Sequence, residues 1–135
     1  MDKVSPEVRS RIMSLVKSKN TKPEILVFRE LKKRGIYFQK HYKVYGKPDV
    51  AFPRLKVAVF INGEFWHGKN LERYKNTLSE FWIKKIKANM KRDKKNYQAL
   101  KRDGWKVIIL WDTKIYKDPP KEVDKIIKAV EKVKS

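Results

Sequence analysis

The sequence predicts an α/β domain with a mixed central sheet flanked by helices. Two nearly continuous apolar runs, "LKVAVFI" at 55–61 and "WKVIILW" at 105–111, have the length and the lack of alternation of strands buried on both faces. Amphipathic segments with helix start and stop signals lie before, between and after them. The chain has 135 residues and is 41% hydrophobic, the size of one ordinary domain that buries roughly two thirds of its unfolded surface. It shows no internal repeat and no Gly/Ser linker, so residues 1–135 read as a single domain.

The elements follow in order. "SPEVRSRIMSLVKSKN" begins with Ser5 as N-cap and Pro6 at the first helical position, and its Val8, Ile12, Leu15 and Val16 recur at helical spacing. This is a short amphipathic helix with a very basic end. "TKPEILVFRELKKRG" carries a capping-box pattern, Thr21 with Glu24 three residues on, and stops at Gly35. "IYFQKHYKVYGKPDVAF" mixes aromatic and polar residues as half-exposed strands do, with Gly46 marking a turn. The first buried strand leads into "GEFWHG" and a polar loop. A long helix then runs from about Glu80 to Arg102 and is closed by Gly104. After the second buried strand, "PPKEVDKIIKAVEKV" forms a terminal helix with Val123, Ile126, Ile127 and Val130 facing inward.

Composition narrows the partner. Thirty-five Lys and Arg against 15 Asp and Glu give a net charge of +20, which repels itself in a compact fold and is best rationalised by a polyanion. Nucleic acid leads. An anionic membrane surface is the rival, but no apolar run approaches the ~20 residues that span a bilayer, and no signal peptide or lipidation motif is present. A soluble cytosolic protein is expected. Without cysteine there is no disulfide, no thiolate nucleophile and no Cys-based zinc site, and two histidines leave little for an all-His one. Any metal is therefore expected to be hard and held by oxygen.

Three polar residues stand where this outline wants something apolar or neutral. Trp82, Ile86, Met90, Tyr97 and Leu100 form a stripe along the long helix, and the missing member of that stripe is Asp93. Such a carboxylate either pairs with Lys or Arg of its own helix or faces a site. Asp49, in "KPDVAF", begins a strand whose Val50 and Phe52 point one way while Asp49 and Ala51 point the other. A Pro-Asp pair alone is an ordinary turn. Carboxylates at the ends of adjacent strands, however, are a means of holding Mg²⁺ against phosphate. His67 lies in the loop at the end of the next strand; held by a carboxylate on one ring nitrogen, it could take a proton from water with the other. Its neighbours Phe65 and Trp66 are either core aromatics or wedges that unstack base pairs. The long helix carries Lys84, Lys85, Lys87, Lys91, Arg92, Lys94 and Lys95, a solvated face or a row of phosphate contacts.

The blocks "MDKVSPEVRSRIMSLVKSKNTKPE", "GKPDVAF", "VAVFINGEFWHG", "EFWIKKIKANMKRD" and "GWKVIILW" resemble those of the very-short-patch-repair (Vsr-like) DNA endonucleases, in order and from the N-terminus to about Trp111. That resemblance implies a restriction-endonuclease-like fold and Mg²⁺-dependent nicking of duplex DNA beside a T:G mismatch, with another divalent ion such as Mn²⁺ as a substitute. It divides the chain into a DNA-contacting helix (1–20), a catalytic core (21–116) and a C-terminal helix (117–135). By motif, it puts the metal-binding aspartate at Asp49, a further metal contact through a backbone carbonyl at Ile61, the catalytic histidine at His67, the aspartate supporting it at Asp93, and the helical glutamate at Glu24. The intercalating aromatics fall on Phe65 and Trp66, and Met13 of the first helix reaches the opposite groove. It further implies double-stranded DNA and other mismatch-repair proteins as partners, and a prokaryotic, nucleoid-associated cytoplasmic setting.

The chain departs from that pattern where family members carry a structural zinc. The corresponding positions read Glu64, Lys69, Leu71 and Thr113, so zinc is not expected and the loop is expected to be held by packing or by a pair of the Glu64–Lys69 type. The loop also bears the wedge aromatics, which leaves T:G specificity open. A related restriction or homing endonuclease on intact DNA would show the same catalytic residues. A non-catalytic wedge protein needs the basic surface and the aromatics but has no use for Asp49, Asp93 or His67, and an RNA-binding protein would use exposed aromatics as stacking platforms.

Overall fold

The computed structural model describes residues 21–65, 67–69, 71–74 and 76–135, without the side chains of Arg73 and Tyr74. The expected first helix, with Ser5, Pro6 and Met13, and the aromatic Trp66 lie outside the described residues. Four strands form one mixed sheet in the order β1 (Gln39–Lys40), β2 (Val50–Phe52), β3 (Val57–Asn62), β4 (Lys106–Trp111). β1, β2 and β3 are antiparallel neighbours, whereas β3 and β4 run parallel with Ile61 opposite Leu110. A parallel pair needs a crossover. Here it contains the short α2 (Leu71–Tyr74) and the 23-residue α3 (Glu80–Arg102). The long helix has the bounds expected from its periodicity and its glycine stop.

Strand β3 explains the layering. Val57 and Val59 join a core formed with α1 (Lys22–Lys33), α4 (Asp112–Lys117) and α5 (Pro119–Lys134), through Val27, Leu31, Ile115, Val123 and Ile126. Ala58 and Phe60 point to the other face, where they meet Leu100 and Tyr97 of α3. With both faces covered, the strand has no solvated side on which a polar residue could alternate. A third, smaller cluster of Leu71, Leu78 and Ile86, with Phe65, Trp82 and Ile83 against it, lies under the loop after β3. No helix among the described residues is long and apolar enough to cross a membrane.

Several local expectations are revised. The half-exposed strands anticipated over 36–52 shrink to β1 and β2, because His41, Gly46 and Lys47 take positive φ and turn the intervening chain into a loop. The Thr21 side chain makes no hydrogen bond to the helix backbone; its Oγ1 donates to Glu24 Oε1 at 3.1 Å, so the capping box is a side-chain pair that steers the glutamate. Met90, counted in the inward stripe of α3, is 39% exposed. The short α4 was not anticipated, although Ile115 anchors it in the main core. The C-terminal helix is as expected, with Asp118 capping it through the Lys121 amide at 3.2 Å.

Gly46 has φ 76°, and a Cβ there would stand 3.0 Å from the Phe60 ring and 3.1 Å from Asn96 Cβ. Left-handed backbone and a packed ring together leave a side chain no easy exit. Gly46→Ala is expected to lower stability by about 2 kcal/mol in urea denaturation. A stability within error of the parent would show that this loop does not pack on β3 and α3.

Candidate active site

A cleft of about 720 Å³ opens where the ends of β3 and α1, the loop before β2 and one face of α3 converge. Asp49 lines it, placed by the β2–β3 ladder. The last pair of that ladder is Val50 with Val59, and just beyond it the Ile61 N–H donates 2.6 Å to Asp49 Oδ2. Burial pushes the Asp49 carboxyl up to about 7, with the nearby Glu24 charge adding to the rise and the Ile61 amide opposing it. A divalent cation bound there would offset that cost.

Glu24 comes to the same place from the first turn of α1 and is only 3% exposed. Its Oε2 lies 2.7 Å from His41 Nε2. One ligand atom each from Glu24, His41 and Asp49 lie within 4.8 Å of one another, a donor set that fits a divalent cation. This candidate set adds an imidazole nitrogen to the oxygen ligands expected from composition. Ile61 lines the cleft beside them.

The second constellation comes from the loop after β3. His67 Nδ1 pairs with Asp93 Oδ2, which leaves Nε2 as the working nitrogen. Asp93 thus spends its carboxylate on His67, the site reading of the gap in the α3 stripe. The loop itself is wound tightly, with the amides of His67, Gly68 and Lys69 donating to the carbonyls of Gly63, Phe65 and Glu64 at 3.1, 3.3 and 3.1 Å. Gly68 has φ 69°, and a Cβ there would collide with Met90 and stand 3.2 Å from Ile86 Cγ2. Only glycine lets the loop lie this close to α3.

Where zinc ligands were discounted, polar groups latch the loop to the start of α4. Asp112 Oδ1 accepts from the amides of Glu64 (3.1 Å) and Thr113 (2.8 Å), and the Thr113 hydroxyl donates to Glu64 Oε1. Lys69 Nζ stands 3.6 Å from the same Glu64 oxygen and 5.0 Å from the centroid of the Trp111 ring. Leu71 is buried beneath, so packing and the Glu64–Lys69 pair both contribute as expected. Phe65 packs on that cluster.

The structure therefore brings Glu24, Asp49, Ile61, His67 and Asp93 to one cleft, with Lys85 and Arg92 on its α3 wall. Lys84, Lys87, Lys91, Lys94 and Lys95 are exposed along the same helix. Sequence reasoning missed His41 and Asn62. The first was one of only two histidines, eight residues before Asp49, and the second was a polar end to an apolar run.

Known proteins with similar sequences point the same way. The family model described as DNA mismatch endonuclease Vsr matches residues 1–73. The type II nicking enzyme V.HpaIIP of Haemophilus parainfluenzae is 41% identical over 135 residues, covering 96% of this chain and 96% of its own. V.NmeDIP of Neisseria meningitidis serogroup C, also a type II nicking enzyme, is 40% identical over 134 residues, covering 96% and 90%. The DNA mismatch endonuclease Vsr of Escherichia coli K12 is 30% identical over 107 residues, covering 77% and 69%.

The raised Asp49 carboxyl has a pH signature. A folded state that holds this proton up to about 7, against an ordinary value of 3.8, loses stability as pH rises between those values. Asp49→Asn removes the loss. In EDTA, the variant is expected to exceed the parent in stability at pH 8, and the excess should shrink by roughly 2 kcal/mol at pH 5. An excess independent of pH would mean that Asp49 is not held in this environment.

Proposed function

Because the chain belongs to the Vsr family of DNA mismatch endonucleases, we propose that it is a divalent-cation-dependent DNA endonuclease that nicks duplex DNA beside a T:G mismatch. The observation that carries this reading is the His67–Asp93 pair sharing one cleft with Glu24 and Asp49, beside which His41 stands. A basic protein that only binds DNA gains nothing from carboxylates facing phosphate.

In this reading Asp49, with the Ile61 carbonyl and with Glu24 and His41 beside it, holds Mg²⁺ or Mn²⁺. When bound, the ion supplies positive charge to the phosphoryl oxygens. Asp93 keeps the Nδ1 hydrogen of His67 in place, so that Nε2 carries the lone pair. Nε2 takes a proton from water as the water oxygen bonds to phosphorus. The opposite P–O bond breaks, and its electron pair leaves with the deoxyribose oxygen, which is protonated from solvent. Lys84, Lys85, Lys91, Arg92 and Lys94 contact backbone phosphates. Phe65 and Trp66 wedge beside the mismatch, Met13 approaches from the opposite groove, and the setting is the prokaryotic cytoplasm.

A second reading, nicking at a specific sequence in intact DNA, draws support from the relatives V.HpaIIP and V.NmeDIP, which are named as type II nicking enzymes. End-labelled duplexes differing only by one T:G mismatch separate the two across a set of flanking sequences with Mg²⁺ or EDTA. A Mg²⁺-dependent nick confined to the mismatched duplex is expected; cutting of the matched duplex selects the second reading, and tight binding with no cut under any condition sinks both. Asp49→Ala and His67→Ala should each cut at least about 1,000-fold more slowly while duplex binding is retained. That binding should weaken steeply with salt, as expected where several Lys and Arg displace phosphate counterions.

A further inference from the structure

Asn62 is the last residue of β3 and is 4% exposed, yet it lines the cleft with Asp49 and His67. Strand alternation explains how it gets there. Val57 and Val59 face the α1–α5 core, Ala58 and Phe60 face α3, and Asn62 continues the second series. A Leu or Val in its place would simply extend that apolar face. The amide instead donates from Nδ2 to the Tyr97 hydroxyl at 2.7 Å, and its Oδ1 accepts from no described group. An acceptor buried this deeply without a partner is costly, on the order of 1–3 kcal/mol.

The partner is built to hold that amide still. Tyr97 stacks edge-on against Phe60 at 4.9 Å between ring centroids, and burial raises its hydroxyl, so it remains protonated. Tyr97 also lies four residues after Asp93 on α3, hence on the same helix face one turn on. One face of α3 thus supports both His67, through Asp93, and Asn62, through Tyr97.

The geometry points to Asn62 as the group that orients the attacking water, a role that rests on the endonuclease reading above. Water carries two hydrogens. As one passes to His67 Nε2, the other is accepted by Asn62 Oδ1, which fixes the remaining lone pair toward phosphorus. The balance is unchanged: one P–O bond forms, one breaks with its electron pair leaving on the deoxyribose oxygen, and Asn62 neither gains nor loses a proton.

The test compares Asn62→Leu, Asn62→Asp and Tyr97→Phe with the parent in single-turnover cleavage of the labelled T:G duplex in saturating Mg²⁺, alongside duplex affinity and Tm. Asn62→Leu keeps the branched outline but offers no acceptor, and is expected to cut about 100-fold more slowly with duplex affinity unchanged within about twofold. Asn62→Asp restores an acceptor of the same size and is expected to recover at least about tenfold of that loss; Tyr97→Phe, which frees the amide to rotate, should slow cutting by about tenfold. A purely structural Asn62 predicts the reverse order, with the added buried charge of Asn62→Asp more harmful than Leu and the rate falling in step with Tm. Parent-like cleavage by Asn62→Leu, or a loss carried by affinity instead of rate, overturns the proposal. If Asn62→Leu does not fold, parent-like cleavage by Tyr97→Phe overturns it, and rate loss in Tyr97→Phe at parent Tm supports it. His67→Ala is run beside them: full activity there would remove the endonuclease site itself, whereas an inactive His67→Ala with a fully active Asn62→Leu removes this inference alone.

Discussion

The bond from the Ile61 amide to Asp49 Oδ2 joins two parts of the chain twelve residues apart at the point where the antiparallel ladder between β2 and β3 runs out. The rest of the cleft is arranged around it. It gives a buried carboxylate one fixed partner while leaving its charge largely uncompensated, and it presents that carboxylate to Glu24. Glu24 in turn is steered by Thr21 and faced by His41. Like charges brought together under cover are unstable as they stand, and a divalent ion turns the same arrangement favourable. The fold places these carboxylates where an apolar residue could have packed.

A protein with a net charge of +20 makes that cluster stand out further. Among the described residues most Lys and Arg are exposed, those of α3 included, while Glu24 and Asp49 sit withdrawn in the cleft. Positive charge outside attracts a polyanion, whereas carboxylates inside repel phosphate.

Much of this was legible in the residues because it depends on patterns that burial enforces. β3 and β4 announced themselves by apolar runs without alternation, α3 by its stripe and its glycine stop, and Asp93 by interrupting that stripe. The resemblance of several blocks to one family then connected Asp49, His67 and Asp93. What escaped were contacts made by loops and by single hydrogen bonds. His41 takes a positive φ that swings it toward Glu24, and nothing in "QKHYKV" signals that turn. Asn62 only follows an apolar run in the sequence, and its pairing with Tyr97 joins residues 35 apart. The latch of Glu64, Asp112 and Thr113 was half visible: the sequence suggested Glu64 with Lys69, whereas Asp112 became available only through the unanticipated start of α4.

Asp93 and Tyr97 occupy consecutive turns of one helix, and each holds a different residue from the end of β3 and its loop. An α-helix turns by about 100° per residue, so a rotation of α3 large enough to withdraw one of these side chains withdraws the other. The two residues are thus tied to one rigid element, so a substitution that shifted α3 as a body would disturb His67 and Asn62 together rather than one alone.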